Sequence, residues 1–200
     1  MNEDIRYKVY HKNFWGDESN LVDTGFVKSA SGVLPVVFEY LEFVPTTVID
    51  FGCGRGAWLF VCKELGTVRT IGIDGPWVSM EDEKIGVDKF IQHDLETPFE
   101  SDARKSDLAI CLEVAEHISI DGSDNLCDTL TNSSDNILFS SAPKGQGGEH
   151  HINEQSLEFW DALFEKRGFS RIKNFRKELS KVKNVDWWYI NNTCLYKKTS

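Results

Sequence analysis

Residues Thr46 to Leu59 read TTVIDFGCGRGAWL, and this stretch restricts the fold more than any other part of the chain. A β-branched run, Thr46 to Ile49, leads into Asp50, then glycines at 52, 54 and 56, then an apolar segment that opens a helix. Strand, glycine turn and helix in that order present backbone N–H groups to a ligand, the arrangement that receives a nucleotide. Any Cβ in the turn would block close approach and resist the positive φ it visits. Ile71-Gly72-Ile73-Asp74 is a second short apolar run ending in a carboxylate, placed to accept both hydroxyls of a ribose. Phe90 to Leu95 ends likewise in Asp94, and Leu108 to Leu112 leads into Glu113, Glu116 and His117.

Strand-like and helical runs alternate along the chain, which predicts a largely parallel sheet covered on both faces. Strands are expected near 46–51, 69–74, 88–92, 107–112, 136–141, 169–175 and 185–197, and helices near 32–43, 56–65, 122–131 and 154–167. Two hundred residues fit one domain over 1–200, long enough to bury a core without disulfides or metal staples. Within it, 1–43 forms a substrate-side segment with Tyr7, Tyr10, Phe14 and Trp15, and 44–200 the cofactor-binding core.

The segments VIDFGCGRGAWL, IGIDGPWV, QHDL and LAICLEVAEHI, in this order, resemble the class I S-adenosylmethionine-dependent methyltransferases. The resemblance covers roughly Val48 to Phe169. A dinucleotide dehydrogenase competes for the glycine turn, but it would favour G-x-G-x-x-G, and the third glycine here falls one position early. The resemblance implies a three-layer α/β/α Rossmann-like fold, its seven-stranded sheet mostly parallel and closed by a C-terminal antiparallel hairpin. It implies S-adenosylmethionine as cofactor, held beyond the carboxyl ends of the strands. Asp50 then organises the turn, or simply caps the helix. Gly52 and Gly54 face the methionine part, Asp74 the ribose, and Asp94 with Leu95 the adenine. Trp77 stacks on the base, or packs in the core. Cys53, Gly75 and Glu113 complete the cofactor set.

Methyl transfer asks mainly for alignment of nucleophile, carbon and leaving sulfur. A hydroxyl acceptor also needs a base near neutral pH or a metal. Glu113, Glu116 and His117 are spaced i, i+3 and i+4, and share one face if a helix starts near Glu113. A second cluster, Gly147-Gly148-Glu149-His150-His151-Ile152-Asn153-Glu154, follows the fifth strand. E-x-x-E-H with a later histidine is similar to the metal site of the Hen1-type RNA ribose 2′-O-methyltransferases, whose histidine precedes a glutamate as His151 precedes Glu154. The similarity implies Glu113, Glu116, His117 and His151 as ligands of a divalent cation, Mg or Mn. The first half also looks like the E-x-x-E-H of the ubiquinone-pathway O-methyltransferases. The plainer alternative has both acids complementing a helix N-terminus while His117 packs. His151 or His150 is the expected general base, with His117 next in line.

A net charge of -10 and a pI near 5.0 argue against nucleic acid as partner, since phosphate contacts need clustered Lys and Arg. The basic residues from Arg167 to Lys183 alternate with apolar ones and read as a solvated face. Five cysteines without a C-x-x-C pair suit reduced thiols in a cytoplasmic protein. Met1 to Tyr10 is charged and unlike a signal peptide, and no apolar run is long enough for a membrane. Tyr10, Trp15, Trp160, Trp187, Trp188 and Tyr189 are candidates to converge over the acceptor. GGEHHINEQ and the later W-W-Y-x-N-N resemble small methyltransferase domains attached to glycan-building enzymes of bacteria and large viruses. That implies a small-molecule or glycan acceptor with a sugar hydroxyl, a nucleotide-sugar or a deoxyhexose such as rhamnose, and a chain that is one domain of a longer protein. Phenols, carboxylates and amines remain alternative acceptors, then RNA ribose. A silent cofactor-binding module is a further class, but it would have lost the acid and imidazole groups kept here.

Overall fold

The computed structural model describes residues 24–78, 85–100 and 105–199. Seven strands form one sheet: β1 (Thr47–Phe51), β2 (Arg69–Asp74), β3 (Lys89–Gln92), β4 (Leu108–Cys111), β5 (Asn136–Phe139), β6 (Phe169–Arg171) and β7 (Cys194–Lys198). Their order is β3-β2-β1-β4-β5-β7-β6, with β1 to β5 parallel and β7 antiparallel to both its neighbours. The β1, β2 and β4 strands are buried on both faces, which is why they read as near-continuous apolar runs. Alternate residues serve opposite sides: Val48, Leu108, Ile110 and Leu138 face one core, while Ile49, Ala109, Ile137 and Phe139 face the other.

Helix α1 (Gly25–Leu41) and α2 (Ala57–Glu64) cover the first face, and α3 (Ser123–Ser133) and α4 (Leu157–Glu165) the second. The first of these begins at Gly25 instead of near Gly32. The Thr24 hydroxyl accepts the Val27 N–H at 3.3 Å, a proper N-cap, and Val27, Ala30, Val33, Leu34, Val37, Phe38 and Leu41 form one buried helical stripe. Strand order reverses between β1 and β4, so their carboxyl ends open the crevice where ligands of such sheets bind.

The last third departs from expectation. Instead of two long strands, β6 stops at Arg171, and α5 (Phe175–Leu179) and α6 (Trp187–Asn192) precede β7. The W-W-Y-I run has strand propensity, yet burial of Tyr189 edge-on against Trp58, ring centroids 5.0 Å apart, fixes it as a helix turn. All five cysteines are buried, and none forms a disulfide among the described residues. No helix among the described residues is long and apolar enough to cross a membrane. Tyr7, Tyr10, Phe14 and Trp15 lie outside the described residues.

Candidate active site

The carboxyl ends of β1, β2 and β4 meet over a cavity of about 420 Å³. Its first half is built from backbone. Gly52 has φ +81°, and a Cβ there would lie 2.3 Å from Val114 Cγ2, so the turn admits no side chain. Gly52 and Cys53 donate their N–H groups to the Ile73 carbonyl, at 2.8 and 3.1 Å. Asp74 ties the same turn to the end of β2: Oδ2 accepts Gly54 N–H at 2.7 Å, and Oδ1 accepts Gly75 N–H at 2.7 Å and Trp77 Nε1–H at 2.9 Å. The Trp77 ring lines the cavity while lying against Gly75.

Asp50 is buried at the cavity wall, and its Oδ2 has no hydrogen-bond partner among the described residues. Burial first, and then the charge of Asp74, push its carboxyl well above the usual range. A buried orphan acceptor calls for a donor. The ammonium of a methionine moiety is a donor of that kind, so the residues present fit S-adenosylmethionine. Asp94 is placed differently from its sequence assignment: its Oδ1 accepts Glu96 N–H at 3.1 Å in its own turn, and Leu95, not Asp94, lines the cavity. Phe26, Arg55, Trp58 and Ile85 also line it; Arg55 and Trp58 belong to the glycine-turn segment, whereas no motif marks Phe26 or Ile85.

The second half is built from side chains. Glu113, two residues past β4, has φ +54° and donates its N–H to Ser140 Oγ at 2.9 Å. Ala115 to His117 then form a single 3-10 turn, so the two acids and His117 do not share an α-helical face. Glu116 is fully buried, and neither of its carboxylate oxygens accepts a hydrogen bond of ordinary geometry from the described residues. His117 Nδ1 lies 3.3 Å from the His150 carbonyl, which only accepts, so Nε2 carries the lone pair. The His117 and His151 rings meet edge-on at 5.0 Å. One carboxylate oxygen of Glu116 and one nitrogen from each ring all lie within 4.8 Å of one another.

Three of the four expected metal ligands therefore converge. Glu113 does not join them: its Oε1 receives the Asn192 amide at 3.4 Å. A buried carboxylate beside two imidazoles fits a divalent cation of mixed O/N preference. Burial raises the Glu113 carboxyl, and burial with the Glu113 charge raises that of Glu116. Burial pushes His117 down to about 4, leaving it neutral at pH 7. His150 has φ +58°, stands 3.8 Å from the Glu149 carboxylate and does not line the cavity. Trp187, Trp188 and Tyr189 of α6 wall the opening, with Trp187 56% exposed. Trp160 is elsewhere, 2% exposed in the core against Phe139.

Glycine turn, strand-end acid and switch-point crevice together define a class I methyltransferase. The pattern of a methyltransferase-domain family matches residues 29–136, and the chain belongs to that family of S-adenosylmethionine-dependent enzymes. Among solved structures, magnesium protoporphyrin IX methyltransferase from Synechocystis PCC 6803, with S-adenosylmethionine bound, superimposes over the whole of both chains at TM-score 0.64 and 16% identity. The methyltransferase domain of a bacterial Hen1 matches at TM-score 0.58 and 18% identity, over 86% of this chain and 98% of that one. Human N-acetylserotonin methyltransferase matches at 0.54 and 16%, over 86% of this chain, which spans only 52% of that protein. No curated protein sequence matches the chain. At these identities the likeness speaks for the fold.

Proposed function

We propose that this chain is an O-methyltransferase that transfers the methyl group of S-adenosylmethionine to a hydroxyl of a neutral, sugar-like acceptor. One observation carries the reading: a buried Glu116 carboxylate lies within 4.8 Å of ring nitrogens of His117 and His151, in the cavity that Asp50 and Asp74 also line. Gly52, Cys53, Gly54, Asp74 and Gly75 would hold the cofactor, Asp50 would face its ammonium, and Trp77 and Leu95 would form its adenine end. The cofactor supplies a methyl group on a sulfonium. A divalent cation, held by Glu116, His117 and His151, would supply a Lewis acid for the acceptor oxygen.

The chain's own residues do the rest. His151 keeps Nδ1 toward Glu154 at 3.0 Å, which leaves Nε2 for one of two exclusive roles: ligand of the cation when it is bound, the hydroxyl proton then passing to water, or, with no cation, the base that accepts that proton. Asp50, Asp74, Glu113, Glu116 and Glu149 all line the cavity, a surrounding hostile to phosphate or carboxylate acceptors. An exposed Trp187 offers a flat apolar face to a sugar ring. Phenols and amines are the next acceptors to try, then RNA ribose, which the acidic composition disfavours. The test is product formation from S-adenosylmethionine against neutral glycosides, nucleotide-sugars, phenols, amines and short RNA, each with chelator and then with added Mg or Mn. Methylation of glycosides that chelator abolishes and metal restores supports the whole reading. Turnover that ignores chelator leaves His151 as a metal-free base, and turnover with phenols, amines or RNA but with no sugar would overturn the reading.

A further inference from the structure

The loop after β5 is held at both ends by acids of opposite kinds of contact. At its far end, Ile152 and Asn153 N–H groups both donate to the Glu116 backbone carbonyl, at 2.9 and 3.0 Å. At its near end, everything converges on the carboxylate of Glu154. Oε2 accepts Gly145 N–H at 2.7 Å, and Oε1 accepts Gly147 N–H at 2.7 Å and faces His151 Nδ1 at 3.0 Å. Both oxygens thus accept backbone N–H groups, and the carboxylate meets Nδ1 as an acceptor. The hydrogen between it and His151 must then sit on Nδ1. The His151 ring itself rests on Gly148, where a Cβ would come within 2.3 Å of Cε1 and Nε2. Between the two clamps, the loop gives Gln146, Gly147, Glu149 and His151 to the cavity wall.

We infer that Glu154 is a positioning residue: one carboxylate selects the His151 tautomer with Nε2 open to the cavity and folds the 145–151 loop into the acceptor wall. The inference rests on reading His151 as an acceptor-side group. Carboxylates behind ligating or basic histidines commonly set ring orientation and basicity, and their loss costs about 10–100-fold in affinity or activity. Among the described residues its carboxylate bonds to Gly145, Gly147 and His151, none of them in the cofactor half, so the effect falls on acceptor turnover alone.

The experiment is nitrogen-15 NMR of the histidine rings in the full, metal-free chain, with the His151 signals assigned by their loss in His151→Ala. Wild type should show His151 protonated at Nδ1. Glu154→Gln keeps an acceptor oxygen and should retain that signature with part of the activity. Glu154→Ala should move the proton toward Nε2, speed amide exchange at 145–151, and lower kcat about 10–100-fold at unchanged cofactor affinity. An unchanged Nδ1–H signature in Glu154→Ala would overturn the inference. So would full activity of Glu154→Ala while His151→Ala is inactive. Full activity of His151→Ala would instead sink the functional reading, and the tautomer measurement would still decide the role of Glu154.

Discussion

The two halves of the cavity are made in opposite ways. The cofactor half comes from residues close in sequence, 50 to 77, and shapes itself from backbone N–H groups, a glycine without room for Cβ and one acid that ties them together. The acceptor half comes from three distant segments, 113–117, 145–154 and 187–192, and relies on side chains. A backbone cradle is specific for a shape that the whole family shares. A side-chain wall is free to vary with the acceptor, as loops on a rigid scaffold do. If this division is right, substitutions in one half leave the other's ligand nearly untouched.

The largest test of that separation is His151→Ala. Methyl transfer should fall about 10²–10⁴-fold, the range for a positioned acid–base group. Calorimetry should find cofactor affinity within error of wild type, and a parallel loss of both would break the comparison. Next comes Asp74→Ala, which removes the acceptor for Gly54, Gly75 and Trp77 N–H groups. Cofactor affinity should drop by about 1–3 kcal/mol, the scale for hydrogen bonds to a charged group, while the KM for acceptor stays put.

Asp50→Asn sharpens the same contrast through pH. The Asp50 carboxyl is raised in the folded chain, so folding favours its protonated form. The stability that this contributes is fully present below about pH 4, the unfolded carboxyl value, and disappears as pH rises through the raised folded value. Thermal melting of the unliganded wild type should therefore lose stability toward alkaline pH. Asp50→Asn should flatten that limb and gain about 2–4 °C at neutral pH, the equivalent of roughly 1 kcal/mol in a domain this size, yet bind cofactor less well. A steeper limb in the variant would show that Asp50 is already paired. The smallest effect belongs to Trp187→Ala: an exposed ring should change stability by no more than about 0.5 kcal/mol, and raise only the acceptor KM.

The contrast also explains what was legible beforehand. Asp50, Gly52 and Asp74 could be placed on the cavity wall because each sits at or just past a strand end, and strand ends announce themselves by composition. Asp94 looked equivalent, but an acid at a strand end also caps turns, and Glu96 N–H takes it. The i, i+3, i+4 spacing of Glu113, Glu116 and His117 presupposed an α-helix. The left-handed backbone at Glu113 and the 3-10 turn after it re-aim Glu113 toward Asn192. The pair His150-His151 could not be divided by sequence, because the positive φ that turns His150 aside is a property of the folded loop. Phe26 and Ile85 reach the cavity through tertiary packing alone, and no local pattern marks them.

The position of β7 has a consequence for how the molecule comes into being. It lies between β5 and β6, so a strand late in the sequence completes the interior of the sheet, and α6 immediately precedes it. During synthesis the glycine turn and its parallel strands emerge well before the aromatic wall has a strand to anchor it. The nascent chain thus reaches cofactor competence before acceptor competence. A ribosome-bound intermediate stopped ahead of Cys194 should retain S-adenosylmethionine without consuming it.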